Sequence, residues 1–206
     1  RPCGGRKAID LTGGNLHLIL LAGGRGLRAD ADGDVPKQFH PTDRGPLFTV
    51  SLQEFLTLAP GHRFRPVDLI VAVPDDWRRT AAEALENLDI PWSPASAGSS
   101  RTASTWNAVT ELEDRFAPAA NDLVAVHDAA RPFASADLLV RLCEAASRGS
   151  GAVPTVAVPD TIVQEKTGTA HYLERASLRA VQTPQVFRWE IFREGHGWAA
   201  ASGTDF

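Results

Sequence analysis

The stretch Ala22-Gly23-Gly24-Arg25-Gly26-Leu27-Arg28 is the part of this chain best suited to holding a phosphorylated ligand. Glycines let backbone N–H groups approach a polyphosphate closely and adopt dihedrals closed to other residues. Arg28 and Lys37, the latter in Pro36-Lys37-Gln38-Phe39, bracket the acidic stretch that follows. Two cations beside a backbone cradle suit a reaction in which negative charge accumulates on phosphorus. A P-loop would need Gly-Lys-Ser/Thr at its end, and that sequence is absent. Gly24, Gly26 and Ala29 do fit the G-x-G-x-x-A dinucleotide pattern, but that motif must open a helix whose N-terminus receives the pyrophosphate. Here Asp30-Ala31-Asp32-Gly33-Asp34-Val35-Pro36 follows, rich in breakers and without helical periodicity. An NAD-dependent oxidoreductase and a plain structural turn remain the competing readings of the glycines.

Elements able to position such a loop are legible around it. Short apolar runs alternate with helix-length amphipathic stretches, which predicts an α/β fold: a Rossmann-like, mostly parallel central sheet flanked by helices. Strands are predicted over residues 17–21, 69–73 and 123–126, with a last core strand over 152–158. Helices are predicted over 45–59, from an Asp75 cap towards residue 88, over 100–113, and over 135–148 with a serine cap and Gly149 beyond its end. The glycine loop would then leave the carboxyl end of the first strand, where α/β sheets place their ligand crevice. Residues 161–180 are polar, contain a Lys-Thr-Gly turn signal, and read as a hairpin arm outside the core. There is no internal repeat.

Composition narrows the function classes. With 206 residues the chain suits one domain, expected over 16–206 after a flexible lead-in over 1–15. Its apolar fraction of 43% and charged fraction of 22% are those of a globular protein. A formal charge of −4 argues against a general nucleic-acid surface while leaving room for a local basic pocket. No apolar run is long enough to span a bilayer, so no membrane partner is expected. Cys3 and Cys143 make neither a disulfide framework nor a metal-ligand spacing, which points to a reducing, cytoplasmic setting. The chain contains no methionine and stops at Thr204-Asp205-Phe206, so a truncated C-terminus is expected.

Further segments give the glycine loop a family context. Gly23-Gly24-Arg25-Gly26-Leu27-Arg28 with Pro36-Lys37-Gln38 resembles the signature of the 2-C-methyl-D-erythritol 4-phosphate cytidylyltransferases, which the ribitol-5-phosphate cytidylyltransferases share. Gly98-Ser99-Ser100-Arg101-Thr102-Ala103-Ser104 and His127-Asp128-Ala129-Ala130-Arg131-Pro132 follow in the family's order. Pro159-Asp160-Thr161, Glu174-Arg175, Gln182-Thr183-Pro184-Gln185 and Thr204-Asp205 complete the series. The resemblance covers residues 16 to 205, and its two most specific segments are HDAARP and QTPQ.

The resemblance implies a nucleotidyltransferase that joins CTP to a small sugar-alcohol phosphate and releases pyrophosphate. It assigns the nucleotide to Ala22, Gly23, Gly24, Gly26, Gly98, Arg101, Ser104, Asp128 and Ala129. It assigns catalysis to Arg28, Lys37 and Arg175, and the acceptor phosphate to Arg131, Thr161 and Arg175. Asp128, ending a strand at the crevice, would hold a ribose hydroxyl or Mg2+, other divalent cations being possible. His127 reads as structural, and Gln182 to Gln185 as shaping sheet and pocket. The arm would make a homodimer in which Arg175 reaches the site of a second copy. Residues 174–182 favour methylerythritol phosphate over ribitol phosphate as acceptor. The family also carries a lysine-bearing stretch beyond Phe206, so a CTP-binding module without activity is an alternative of a different class.

Overall fold

Three apolar runs with no polar alternation dictate the centre of the molecule, because only a strand covered on both faces can be apolar at every position. A computed structural model gives the structure of residues 14–24 and 35–205. The runs become β1 (Leu16–Leu21), β4 (Pro66–Val73) and β6 (Leu123–Asp128), which lie side by side and parallel. With β5 (Trp92–Ser96), β12 (Gln185–Arg188) and β7 (Gly151–Ala152) they form a six-stranded sheet in the order β5-β4-β1-β6-β12-β7. β5 continues the parallel set, whereas β12 runs antiparallel to both its neighbours. The predicted fold class is therefore the observed one.

Alternation along the strands assigns the helices to faces. Leu18, Leu20, Leu69, Val71 and Ala125 pack with α1 (Leu47–Leu56), α2 (Arg78–Ala84) and α4 (Ala136–Ser147). Ile19, Ile70, Val124 and Val126 point the other way, onto α3 (Arg101–Phe116) and α5 (Trp189–Ser202). Ser100 and Ser135 cap α3 and α4, accepting from the N–H groups of Ala103 and Leu138 at 3.2 Å each.

Four local expectations are corrected. Asp75 does not cap a helix: it opens a 3₁₀ turn before α2, and its carboxylate accepts from Arg78 Nε at 2.8 Å. Residues 45–59 are shortened to α1, preceded by a two-residue ladder of β2 (Pro41–Thr42) and β3 (Gly45–Pro46). The single strand expected over 152–158 is broken at Pro154, which supplies no N–H to a ladder. Only β7 joins the sheet, and β8 (Thr155–Ala157) is exposed and pairs outside it with β11 (Arg179–Val181). β5, β12 and α5 stand where no element was expected.

Between β8 and β11, β9 (Val163–Lys166) and β10 (Thr169–Tyr172) pair antiparallel, turned at Thr167 and Gly168 with φ of +48° and +80°. All eight strand residues are exposed. At the pole of the sheet away from the strand carboxyl ends, His17 of β1 is buried between two carboxylates. Its Nδ1 faces Asp68 Oδ2 at 2.8 Å and its Nε2 faces Asp122 Oδ2 at 3.2 Å. Asp122 also accepts from the N–H groups of Asn15 and Ala119 at 2.8 Å, stitching the entry to β1 to the turn before β6. Of the lead-in expected over 1–15, only Gly14 and Asn15 are described. Among the described residues no helix is long and apolar enough to cross a membrane.

Candidate functional site

β1 has β4 on one side and β6 on the other, so successive connections diverge at its carboxyl end and leave a crevice. A cavity of about 800 Å³ opens there. Gly23 and Gly24 line it from the loop after β1, Gly98 from the segment joining β5 to α3, Arg101 from the first turn of α3, and Asp128 from the end of β6.

Close approach dictates two of these glycines, Gly23 and Gly98. A Cβ on Gly23 would stand 2.7 Å from the Cβ of Ala97, and one on Gly98 would stand 2.5 Å from that of Ala103. Neither distance is tolerable, so glycine is needed where the loop after β1 meets Ala97 and where Gly98 passes the first turn of α3. Ser104 secures the second loop: its hydroxyl donates to the Ser100 carbonyl at 2.8 Å and accepts from Gly98 N–H at 2.9 Å. The Ser100 hydroxyl also donates to Asp205 Oδ1 at 2.9 Å, bringing Asp205 to the head of α3.

Asp128 is the electrostatic centre. Oδ1 accepts from Arg101 Nε at 3.2 Å and Oδ2 from Arg131 Nε at 3.1 Å. Arg131 also donates to Gln182. The turn carrying these groups is held from beneath. Asp128 N–H donates to Thr183 Oγ1 at 3.2 Å, Thr183 Oγ1 lies 3.1 Å from His127 Nδ1, and His127 Nε2 lies 3.0 Å from the Arg131 carbonyl. A carbonyl only accepts, so Nε2 carries the proton and Nδ1 accepts from the Thr183 hydroxyl. Burial pushes the His127 pKa down to about 4, so the imidazole is neutral and structural. His196, on α5, is also pushed down to about 4, first by burial and then by the Arg101 charge.

The remaining sequence candidates are distributed as follows. Gly26 and Arg28 lie outside the described residues. Ala22 and Ala129 are buried beneath the cavity, their N–H groups bound to the Ala72 and Leu21 carbonyls at 2.8 and 3.0 Å. Lys37 is exposed in a 3₁₀ turn whose next residue, Gln38, lines the cavity. Thr161 and Arg175 lie on the excursion between β8 and β11; neither lines the cavity, and Arg175 donates to the Pro159 carbonyl at 2.8 Å. Gln38 was not singled out from the sequence, although it stands inside the quoted Pro36-Lys37-Gln38 segment. An amide side chain carries no charge pattern that would have marked it.

Magnesium favours octahedral oxygen ligands and keeps much of its shell as water and substrate phosphate, with one or two carboxylates. Asp128 supplies one such carboxylate on the cavity wall. Among the described residues no three His, Cys, Asp or Glu side chains converge as a cage. That donor set fits a cation arriving with a polyphosphate, at the expense of one of the two arginine contacts on Asp128.

Comparisons with known proteins identify the family. The family model described as "IspD: 2-C-methyl-D-erythritol 4-phosphate cytidylyltransferase" matches residues 16–206. A bifunctional enzyme IspD/IspF of Rhodopseudomonas palustris (strain BisB18) is 39% identical over 189 residues, 91% of this chain and 44% of that protein. The corresponding Nitrobacter winogradskyi protein is 35% identical over the same shares. The chain thus spans under half the length of these curated relatives. The crystal structure of the 2-C-methyl-D-erythritol 4-phosphate cytidylyltransferase from Thermus thermophilus superposes with a TM-score of 0.64 at 29% identity, over 91% of this chain and 78% of that one. The Francisella tularensis enzyme shares the fold with a TM-score of 0.71 at 24% identity, over 92% and 79%. With its family model matched from β1 onwards, the chain belongs to the 2-C-methyl-D-erythritol 4-phosphate cytidylyltransferase family.

Proposed function

We propose that the chain transfers the cytidylyl group of CTP to 2-C-methyl-D-erythritol 4-phosphate, releasing pyrophosphate, in the methylerythritol phosphate route to isoprenoid precursors. The observation that carries this reading is the convergence of the Gly23-Gly24 loop, the Gly98–Ser104 segment and Asp128 on one cavity in a member of this family. In this reading the triphosphate lies on the glycine loop, and the cytidine lies against Gly98, Arg101 and Asp128.

The acceptor's phosphate oxygen attacks the α-phosphorus of CTP in line. One phosphorus–oxygen bond forms as the bond to the β-phosphate bridge breaks, and the electron pair leaves with pyrophosphate. The attacking phosphate is already anionic at neutral pH, so no protein nucleophile is needed. Positioning and charge stabilisation do the work. Arg28 and Lys37 stabilise the charge that builds at phosphorus. Arg131, Thr161 and Arg175 hold the acceptor phosphate, arginine being suited to bidentate contacts. Magnesium, when bound with CTP, neutralises triphosphate charge, and Asp128 is the residue that would hold it. The pairing of β9 with β10 supports an arm through which two copies associate, with Arg175 entering the site of the second copy. The setting we propose is the cytoplasm.

The test is pyrophosphate release from CTP and magnesium, with methylerythritol phosphate and ribitol phosphate in parallel. Release with methylerythritol phosphate alone is expected. Release with ribitol phosphate alone, or CTP binding without release in either case, would overturn the assignment. Replacing Lys37 by Ala should slow turnover on the order of 10²–10³-fold with little change in thermal stability.

A further inference from the structure

Gln38 is 3% exposed, and its carboxamide reaches across to the glycine loop. Nε2 donates to the Ala22 carbonyl at 2.6 Å and to the Gly24 carbonyl at 2.7 Å. Both partners can only accept, so the nitrogen must face the loop, and its two protons serve two carbonyls of one short segment. Ala22 N–H is already bound to the Ala72 carbonyl, and Gly23 is pressed onto Ala97. Residues 22–24 of the loop are therefore fixed on one edge by β4, on another by the loop after β5, and at the Ala22 and Gly24 carbonyls by a single side chain. A carbonyl dipole turned towards a polyphosphate repels it, whereas N–H groups attract it. By holding the carbonyls of Ala22 and Gly24, Gln38 decides which backbone groups the loop can offer.

Gln38 is itself placed by the residue after it. Phe39 is buried against Trp77, their rings stacked at 4.6 Å, and against Phe48 at 5.5 Å. The same 3₁₀ turn begins with Lys37. One turn thus connects the core, the carbonyls of the glycine loop and a cation. Resting on the function proposed above, we propose that Gln38 is a positioning residue, which sets the glycine loop for the triphosphate of CTP through the carbonyls of Ala22 and Gly24.

Two near-isosteric variants test this. Gln38→Glu keeps the shape but removes both donors while its carboxylate is ionised. Gln38→Met keeps the length and removes hydrogen bonding at every pH. Each removes both hydrogen bonds of the buried carboxamide and should raise KM for CTP roughly tenfold or more at pH 8, tenfold being about the net worth of one such bond, and leave KM for the acceptor within about twofold. Burial against the Ala22 and Gly24 carbonyl oxygens disfavours a carboxylate and raises the introduced carboxyl above its ordinary value. As pH falls towards 6, Gln38→Glu therefore regains one donor, and its deficit relative to wild type should narrow while that of Gln38→Met stays constant. Wild-type KM for CTP in both folded variants, or deficits in the two that do not differ with pH, would overturn the proposal. Direct calorimetric titration with CTP gives the same comparison without turnover. Wild-type protein that binds CTP but releases no pyrophosphate would remove the proposed function while still testing Gln38. If Gln38→Glu does not fold, the CTP arm is read from Gln38→Met.

Discussion

Asp128 accepts from two guanidiniums, one belonging to the head of α3 and the other to its own turn. Asp128→Asn would keep the size of the side chain but leave Arg101 and Arg131 without a carboxylate. Losing charged hydrogen bonds of this kind should lower kcat/KM for CTP roughly 10- to 100-fold, read by pyrophosphate release. If kcat/KM stayed at the wild-type value, the carboxylate would have no part in organising the site. His127 and Thr183 show what the sequence can reveal at this scale and what it cannot. A histidine beside an aspartate, with no second histidine near it, reads as structural, and its two satisfied ring nitrogens agree. That its partner would be a threonine 56 residues downstream was not legible, because strand order across β6 and β12 is not written in local spacing.

The elements with long apolar runs or strong caps were readable, and the rest were hidden by their composition. β5 reads Trp-Ser-Pro-Ala-Ser, and only its place at the sheet edge makes that proline acceptable. β12 reads Gln-Val-Phe-Arg and depends on β6 and β7 for its pairing. The 3₁₀ turn over Lys37–Phe39 is too short for any periodicity, yet it links the core to the cavity. Phe39→Ala would remove its aromatic anchor and leave a void beside Trp77 and Phe48. The expected cost is about 3–5 kcal/mol by urea denaturation, with a rise in KM for CTP as the turn loosens. A stable variant with unaltered CTP kinetics would dissociate the anchor from the site.

At the scale of the molecule, the two poles of the sheet behave differently with pH. Burial opposes charge on His17, but the hydrogen bonds and charges of Asp68, then Asp122, hold its pKa above the ordinary value. A raised folded pKa means this contribution to stability is complete below about pH 6.5 and fades as pH rises through the folded value. His127 has the opposite sign: neutral when folded, it costs stability as pH falls from about 6.5 towards 4. Urea titrations of His17→Gln should therefore show less loss of stability on the alkaline side than wild type. Asp68→Asn, which leaves the buried imidazolium with one carboxylate fewer, should cost about 3–5 kcal/mol near pH 6. A wild-type alkaline slope retained in His17→Gln would show that another group titrates there.

β12 lies between β6 and β7 although it follows both in the chain. On a ribosome this fixes an order of events. β1, β4, β5 and β6 can align as they emerge, but the free edge of β6 must wait until residue 188 has left the exit tunnel. During that interval Leu123, Val124, Ala125 and Val126 present an apolar, unpaired ladder, the kind of edge that recruits another strand from a neighbouring nascent chain or a chaperone. A translational pause anywhere between β6 and β12 would prolong that exposure, so slow synthesis over residues 129–184 is expected to raise misassembly.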